Sequence, residues 1–334
     1  MKKILFSLLA VAALASCAKS GIVYEADSEI RLTPKVAPAT RANYLGAIAT
    51  PDYPVAENFD VYGYWAEDWT NGKIVNYLVS ENEESGVEFV CQGNYWTGKK
   101  SYHWPKDGSL KFACYSPATA DIKHNYPTDT YSKVGYEQPN ETALTWDLLL
   151  APTTGAYTAE TASENVPVAF EHALAWITFQ VKAKDADAEN IFDIKKVTIK
   201  NVCTKANFEV KMADGIQYEE WEKQSEKKDI VVFDGSQVVK QEAKDIETNP
   251  QGTIIIPQAT EGTELVIEYT QLAVPGSTAE LTDQEITLPL TLNPTRSVWE
   301  PGKHYTYTLT FKVEEIRIKP TVKPWGNVNV ENIL

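Results

Sequence analysis

Period-two alternation broken by turn chemistry constrains this chain more than any other feature. Phe59-Asp60-Val61-Tyr62-Gly63-Tyr64-Trp65 alternates, and so do residues 197–200, 265–269 and 305–311. Successive side chains on a strand point to opposite faces, so each run offers one face to a core. Asn71-Gly72, Asp107-Gly108, Asp214-Gly215, Asp234-Gly235, Pro275-Gly276 and Pro301-Gly302 supply the turns between runs. No long segment carries a 3.6-residue period; residues 185–190 predict a helical turn at most. The expected class is all-β, built from antiparallel sandwiches. Nine Trp and 17 Tyr fit that class, because aromatic side chains favour pleated surfaces. A length of 334 residues suits about two domains. The Thr-, Ala-, Ser- and Pro-rich stretch 151–165 is the expected boundary, dividing residues 42–163 from 164–334. No internal repeat or low-complexity tract stands out.

The N-terminus reads as a targeting signal. Lys2 and Lys3 precede an apolar run, residues 4–14, that is too short to span a bilayer as a helix. It ends in Leu14-Ala15-Ser16-Cys17, the pattern of a bacterial lipobox, so residues 1–16 are the expected signal peptide and Cys17 the lipidation site. The chain is then exported and held to a membrane surface by lipid. Cys91, Cys114 and Cys203 remain, which permits at most one internal disulfide. Cys91 and Cys114 lie on expected strands and could pair; buried free thiols in a β-core are the other reading.

Both ends of the exported chain are amphipathic and extended. Ile22, Tyr24, Ala26, Ile30, Leu32, Pro34 and Val36 share one parity in a leader that runs to Arg41. Ile316, Ile318, Val322, Val328 and Val330 share one parity at the other end. Pro34, Pro320 and Pro324 lack an N–H, which suits edge or added strands. One end can therefore replace the other in a sheet groove by strand addition between subunits; two ordinary edge strands would leave the same pattern. Ala39-Thr40-Arg41-Ala42 sits between leader and body, and an Arg among small residues in a linker is open to a trypsin-like protease.

Chemistry-bearing motifs are missing from the sequence. His103, His124, His172 and His304 have no neighbours at ligand spacing, and no zinc, Walker, Rossmann or nucleophile-elbow motif occurs. His172 is expected to start a strand and to bond locally. No catalytic residue, metal or cofactor is assigned. The net charge of −15 argues against nucleic acid, whose phosphates need a positive patch. Trp65, Trp69, Tyr95, Trp96, Tyr102 and Trp104 form one aromatic cluster in the sequence. They read either as core with cross-strand pairs or as an exposed face that stacks on a host glycan or protein.

Several segments, taken in order, resemble the fimbrillin (Mfa-like) family, the type V pilus subunits of Bacteroidia. They are the lipobox at Cys17, Thr40-Arg41-Ala42, residues 59–65, Tyr102-His103-Trp104-Pro105, residues 110–117 and Asp147-Leu148-Leu149-Leu150-Ala151. Residues 168–175, Ile254-Ile255-Ile256-Pro257-Gln258, residues 299–305 and Pro324-Trp325 complete the series. The resemblance implies two transthyretin-like β-sandwich domains in tandem and a structural, non-catalytic role at the cell surface. It implies export as an outer-membrane lipoprotein and cleavage by an Arg-specific protease between Arg41 and Ala42. The leader, residues 17–41, is then lost, and other fimbrial subunits are the partners, in a homo- or hetero-polymer. Donor-strand exchange through Ile316, Ile318, Val322, Val328 and Val330 follows from the same resemblance. Cleavage removes six basic and three acidic residues, which takes the net charge from −15 to −18. A monomeric surface lipoprotein that binds glycan or host protein through the aromatic cluster is the rival reading.

Overall fold

The computed structural model describes residues 22–36, 53–80, 85–138, 147–162, 165–246, 252–271, 282–290, 297–312 and 315–324. Among these, strands account for nearly all regular structure, with four single-turn 3-10 segments. One of them, Ala186–Ala188, is the expected helical turn, capped by the Asp185 side chain, which accepts from the Ala188 N–H.

The strands before residue 150 are β1 (Tyr24–Glu29), β2 (Leu32–Val36), β3 (Phe59–Ala66), β4 (Val75–Leu78), β5 (Val87–Cys91), β6 (Trp96–Gly98), β7 (His103–Pro105), β8 (Ser109–Ser116), β9 (Lys123–Asn125), β10 (Thr130–Glu137) and β11 (Leu149–Ala151). Those that follow are β12 (Val166–His172), β13 (Ala175–Ala183), β14 (Phe192–Lys211), β15 (Trp221–Val238), β16 (Lys244–Asp245) and β17 (Thr253–Ile255). The last are β18 (Gln258–Ala259), β19 (Glu264–Gln271), β20 (Thr282–Pro289), β21 (Val298–Trp299), β22 (Lys303–Lys312) and β23 (Glu315–Pro324).

The first sheet closes on itself. Its order is β3-β5-β6-β2-β12-β11-β8, and β8 returns to pair with β3, giving a barrel-like ring of seven strands with β4 attached to β3. An open sandwich was the expectation. The ring closes because β3 has two long edges: residues 60–66 pair with β8, while residues 59–61 pair with β5. Closure removes exposed sheet edges. Phe59, Val61, Phe89, Trp96, Phe112 and Phe170 fill the interior.

The second half packs two sheets face to face. One runs β20-β19-β14-β10-β9 with β15 on β14; the other runs β16-β13-β22-β23 with β17 on β13. Phe179, Val197, Ile199, Ile267, Tyr307 and Phe311 lie between them. β9 and β10 come from the first half of the chain and pair into the sheet of the second. β12 comes from beyond residue 163 and completes the ring.

A third core joins the halves. Tyr62, Tyr64, Tyr115, Leu148 and Leu150 on the outside of the ring pack against Tyr131, Phe208 and Trp221. The Tyr131 hydroxyl donates toward the carbonyls of Cys114 and Ala151, at 2.9 and 2.7 Å. β3 is thus buried on both faces rather than one, because β9, β10 and β14 cover the outside of the ring.

Candidate functional site: the leader strand in its groove

β2 occupies the gap between β6 and β12. It runs parallel to β12 over five residues, with Leu32 opposite Val166 and Val36 opposite Phe170. Toward β6 it makes a single antiparallel pairing, Leu32 with Trp96. Parallel and antiparallel partners on the two sides give the ring a mixed sheet at this seam. Among the described residues, β2 alone connects β6 to β12.

Over residues 30–36 the parity expected of the leader is the parity that is buried, whereas Ile22 is half-buried. Ile30 and Leu32 are 0% exposed and Val36 8%, while Arg31 and Lys35 face outward. Ile30, Leu32 and Val36 join the ring interior with Phe59, Phe89, Trp96 and Phe170. The Ile30 N–H donates to the Tyr102 carbonyl at 2.8 Å, and the Thr97 hydroxyl donates to the Ile30 carbonyl at 3.2 Å. The Val166 N–H donates to the Arg31 carbonyl at 2.9 Å. Outside, the Arg31 guanidinium lies over the Tyr95 ring, 4.4 Å from its centroid, and 3.6 Å from Glu29. β1 extends the leader's hold by pairing with β7, Tyr24 opposite Pro105 and Glu29 opposite His103. Pro34 sits within β2, in a strand flanked on both sides rather than at an edge. It is tolerated there because β6 meets β2 only at Leu32 and the proline brings no N–H to be left unpaired.

At the other end, β23 forms a hairpin with β22. Ile316 lies opposite Phe311, Ile318 opposite Leu309 and Val322 opposite Tyr305. β23 is the outermost strand of its sheet among the described residues, as its prolines suit. Ile316 and Val322 are half-buried against the core of the second half. Cys17, Arg41, Ala42, Val328 and Val330 lie outside the described residues.

The aromatic cluster does not form one face. Trp96 and Trp104 are buried in the ring interior, with Trp65 and Tyr102 packed against it. Trp69 packs on the third core instead, edge-on to Tyr126 and beneath the Lys111 ammonium. Tyr95 carries Arg31. Cys91 and Cys114 are free thiols, as is Cys203. Burial pushes the Cys114 thiol up.

Three buried polar groupings are not signalled by local sequence. His124 bridges Tyr64 and Asp129: its Nδ1 is 2.7 Å from the Tyr64 hydroxyl and its Nε2 2.9 Å from Asp129 Oδ1. Burial lowers the His124 pKa against the pull of Asp129. Burial also raises Asp129, but hydrogen bonds from His124 and Thr153 outweigh it and hold the carboxyl low. Asp60 is pushed up to about 6 by burial, although it accepts a hydrogen bond from Tyr115 at 2.6 Å. His172 ends β12 rather than starting a strand, and its Nδ1 meets Asp147 Oδ2, 25 residues away, at 2.5 Å. Burial raises the Asp147 carboxyl. These groups lock strands together inside the protein, and the residues that meet come from distant positions, which spacing motifs do not register.

Two solved structures share this fold over most of both chains. A fimbrial protein from Bacteroides vulgatus is 16% identical, with a TM-score of 0.57, covering 88% of this chain and 99% of its own. A protein from Bacteroides ovatus, described as a candidate cell adhesion protein, is 15% identical, with a TM-score of 0.53 and coverage of 93% and 100%. No curated protein matches. The fimbrillin-like family profile matches residues 40–325, most of the chain, and begins just before the Arg41-Ala42 bond. The chain therefore belongs to the fimbrillin-like family.

Proposed function

We propose that this chain is a structural subunit of a cell-surface fimbria, made as a lipoprotein on Cys17, cut after Arg41 and assembled by strand exchange. The observation that carries the reading is the position of β2: it alone among the described residues bridges β6 and β12, and its apolar stripe is buried in the ring. Cutting after Arg41 severs the leader from the body without touching any ring strand that follows. Its departure would leave a groove lined by Trp96, Phe59 and Phe170, with the β12 edge unpaired. A strand from another subunit restores both the burial and the pairing. At about 25 cal/mol per Å2, four inserted apolar side chains, as many as Ile30, Leu32, Pro34 and Val36 now supply, contribute on the order of 5–10 kcal/mol before ordering costs.

The body of the subunit is then residues 42–163 and 164–334, strapped together by β10 in one direction and β12 in the other. The role is structural rather than catalytic, and the surface location and an adhesive task follow from the family. An Arg-specific protease is the maturation partner. The aromatic face of the rival reading finds no support in the scattered burial of its six residues. The test is cleavage. The full chain lacking residues 1–16 is cut with an Arg-specific protease and followed by size exclusion and mass spectrometry. Cutting after Arg41 followed by slow growth into SDS-resistant ladders is the expected result. A readily cut chain that remains a stable monomer and releases no leader refutes assembly by exchange.

A further inference from the structure

β12 is held in two parts. Among the described residues, residues 166–170 pair with β2 alone, and Glu171 and His172 pair with β11 alone. The leader therefore supplies every strand pairing that the first part of this wall makes. Val166, Val168 and Phe170 lie in the ring interior and His172 continues the same buried row, while Pro167, Ala169 and Glu171 are exposed.

The far end of β12 is anchored by groups that cutting leaves in place. Asp147 Oδ2 lies 2.5 Å from His172 Nδ1, with both side chains buried, so little water competes for the bond. The Ala173 N–H donates to the Leu148 carbonyl and the Gly302 N–H to the Leu174 carbonyl, each at 2.8 Å. Ala175 then opens β13, which pairs with β22 from Trp176 opposite His304 to Ala183 opposite Phe311. The wall thus reaches the second half through Ala173 and Leu174, both fully buried. Two of the segments that carry the family resemblance, residues 147–151 and 168–175, meet in the Asp147–His172 contact.

We infer that Asp147 and His172 are positioning residues for the groove: their buried bond holds β12 in the ring after the leader has gone. The inference rests on the strand-exchange reading above and adds what keeps the emptied groove in shape. While β2 is in place, the bond is one support among several. Once β2 has left, residues 166–170 keep their side-chain packing but have no strand partner, and the wall hangs from the end that Asp147 clamps. A wall held in place presents its free edge directly to an incoming strand. A loose wall must be ordered during binding, which slows capture and weakens it.

The test reads the wall with and without the leader. A nitroxide on A169C, at an exposed site of β12, reports wall mobility on a C17S and C91S background. Four versions of this chain are compared, uncut and cut after Arg41: the parent, D147A, H172F and D147N. D147A and H172F break the bond in different ways, so the test survives if one of them does not fold. D147N keeps an oxygen that accepts from the His172 Nδ1–H. Capture of a labelled peptide of residues 22–41 is timed in the cut chains. The label should be immobile in all four uncut chains. After cutting it should stay immobile in the parent and D147N and become mobile in D147A and H172F. Peptide capture should slow by about tenfold in the two broken pairs and recover in D147N. A label already mobile in the uncut D147A and H172F chains overturns the positioning role, because the pair then supports the fold at large. A label that stays immobile in both after cutting, with capture unchanged, also overturns it and leaves exchange standing. If cutting releases no leader, the exchange reading fails on that ground. Leu32→Asp, which displaces β2 from the uncut chain, then supplies the emptied groove: a label loosened only where the pair is broken supports the role, and equal mobility overturns it.

Discussion

Residues 29–38, which contain β2, and residues 315–324 of β23 match at six of ten positions and are opposites in setting. β2 stands between two neighbours, with Leu32 fully buried and Ile30 equally so just ahead of the strand, whereas β23 has one neighbour among the described residues and its Ile316 and Val322 are half-buried. The same residues are therefore indispensable in one place and marginal in the other. The amino-acid pattern specifies that a strand of this kind can be inserted; the neighbours decide how much the insertion is worth.

The largest expected effect breaks this comparison at its centre. Leu32→Asp in the uncut chain places a charge in a fully buried site of the ring and should cost about 3–5 kcal/mol or prevent closure. Val322→Asp, at the half-buried edge, should cost about 1 kcal/mol or less. Urea denaturation of both variants measures the difference. Equal losses would mean that the two settings are energetically alike and that β23 is no looser than β2. After cleavage the order should invert: Val322→Asp leaves monomer stability nearly intact but stops elongation.

Much of this contrast was legible beforehand. The alternation and turn dipeptides such as Asn71-Gly72 and Pro301-Gly302 gave the all-β class, but Asp234-Gly235 lies inside β15 at a register irregularity rather than at a turn, and Pro275-Gly276 lies outside the described residues; the parity of residues 30–36 matched the buried stripe because a strand's period is fixed by its pleat. Other parts were not legible, for physical reasons. β14 runs for 20 residues, yet its buried parity slips at irregularities between Ile194 and Lys196 and between Ile199 and Val202, with Asn201 at φ 63°. Each bulge resets the alternation, so one long strand reads as several short ones. Ring closure depends on β3 pairing at once with β5 and β8, a non-local event that no window of sequence contains. The His124 grouping draws on Tyr64, 60 residues away, and so has no spacing signature.

A pH effect of intermediate size sharpens the comparison by acting on the ring alone. Asp60 on β3 is held at about 6, against an ordinary value of 3.8. The folded chain therefore binds the extra proton between these values, and its stability falls as pH rises from about 4 through about 6. Above that the full penalty applies, up to about 3 kcal/mol. Asp60→Asn keeps an acceptor for Tyr115 and removes the charge. It should raise stability at pH 8 by about 1–3 kcal/mol and change little at pH 4. Thermal melts of both proteins across this range check it, and a gain that is constant with pH would show that Asp60 is not the titrating group.

The joint between ring and second half should respond in the opposite direction. Asp129 is held low, so its hydrogen bonds to His124 and Thr153 contribute stability above its ordinary value of 3.8, lost as pH falls through the folded value. Asp129→Ala should cost about 2 kcal/mol at pH 7 and progressively less in acid. A loss that does not shrink as the carboxyl protonates would assign Asp129 a packing role instead.

The smallest effect separates the two faces of β2 itself. Arg31 adjoins Leu32 but points outward, over Tyr95 and beside Glu29, with 43% of its side chain exposed. An exposed cation–π contact is worth about 0.5–1 kcal/mol, and an exposed ion pair often less. Arg31→Ala should therefore cost no more than about 1 kcal/mol in the uncut chain, a small fraction of the loss at Leu32. The effect on Arg31 should also weaken in high salt, whereas the effect on Leu32 should not. If Arg31→Ala proved as damaging as Leu32→Asp, the leader would be held by its outer face rather than by its apolar stripe.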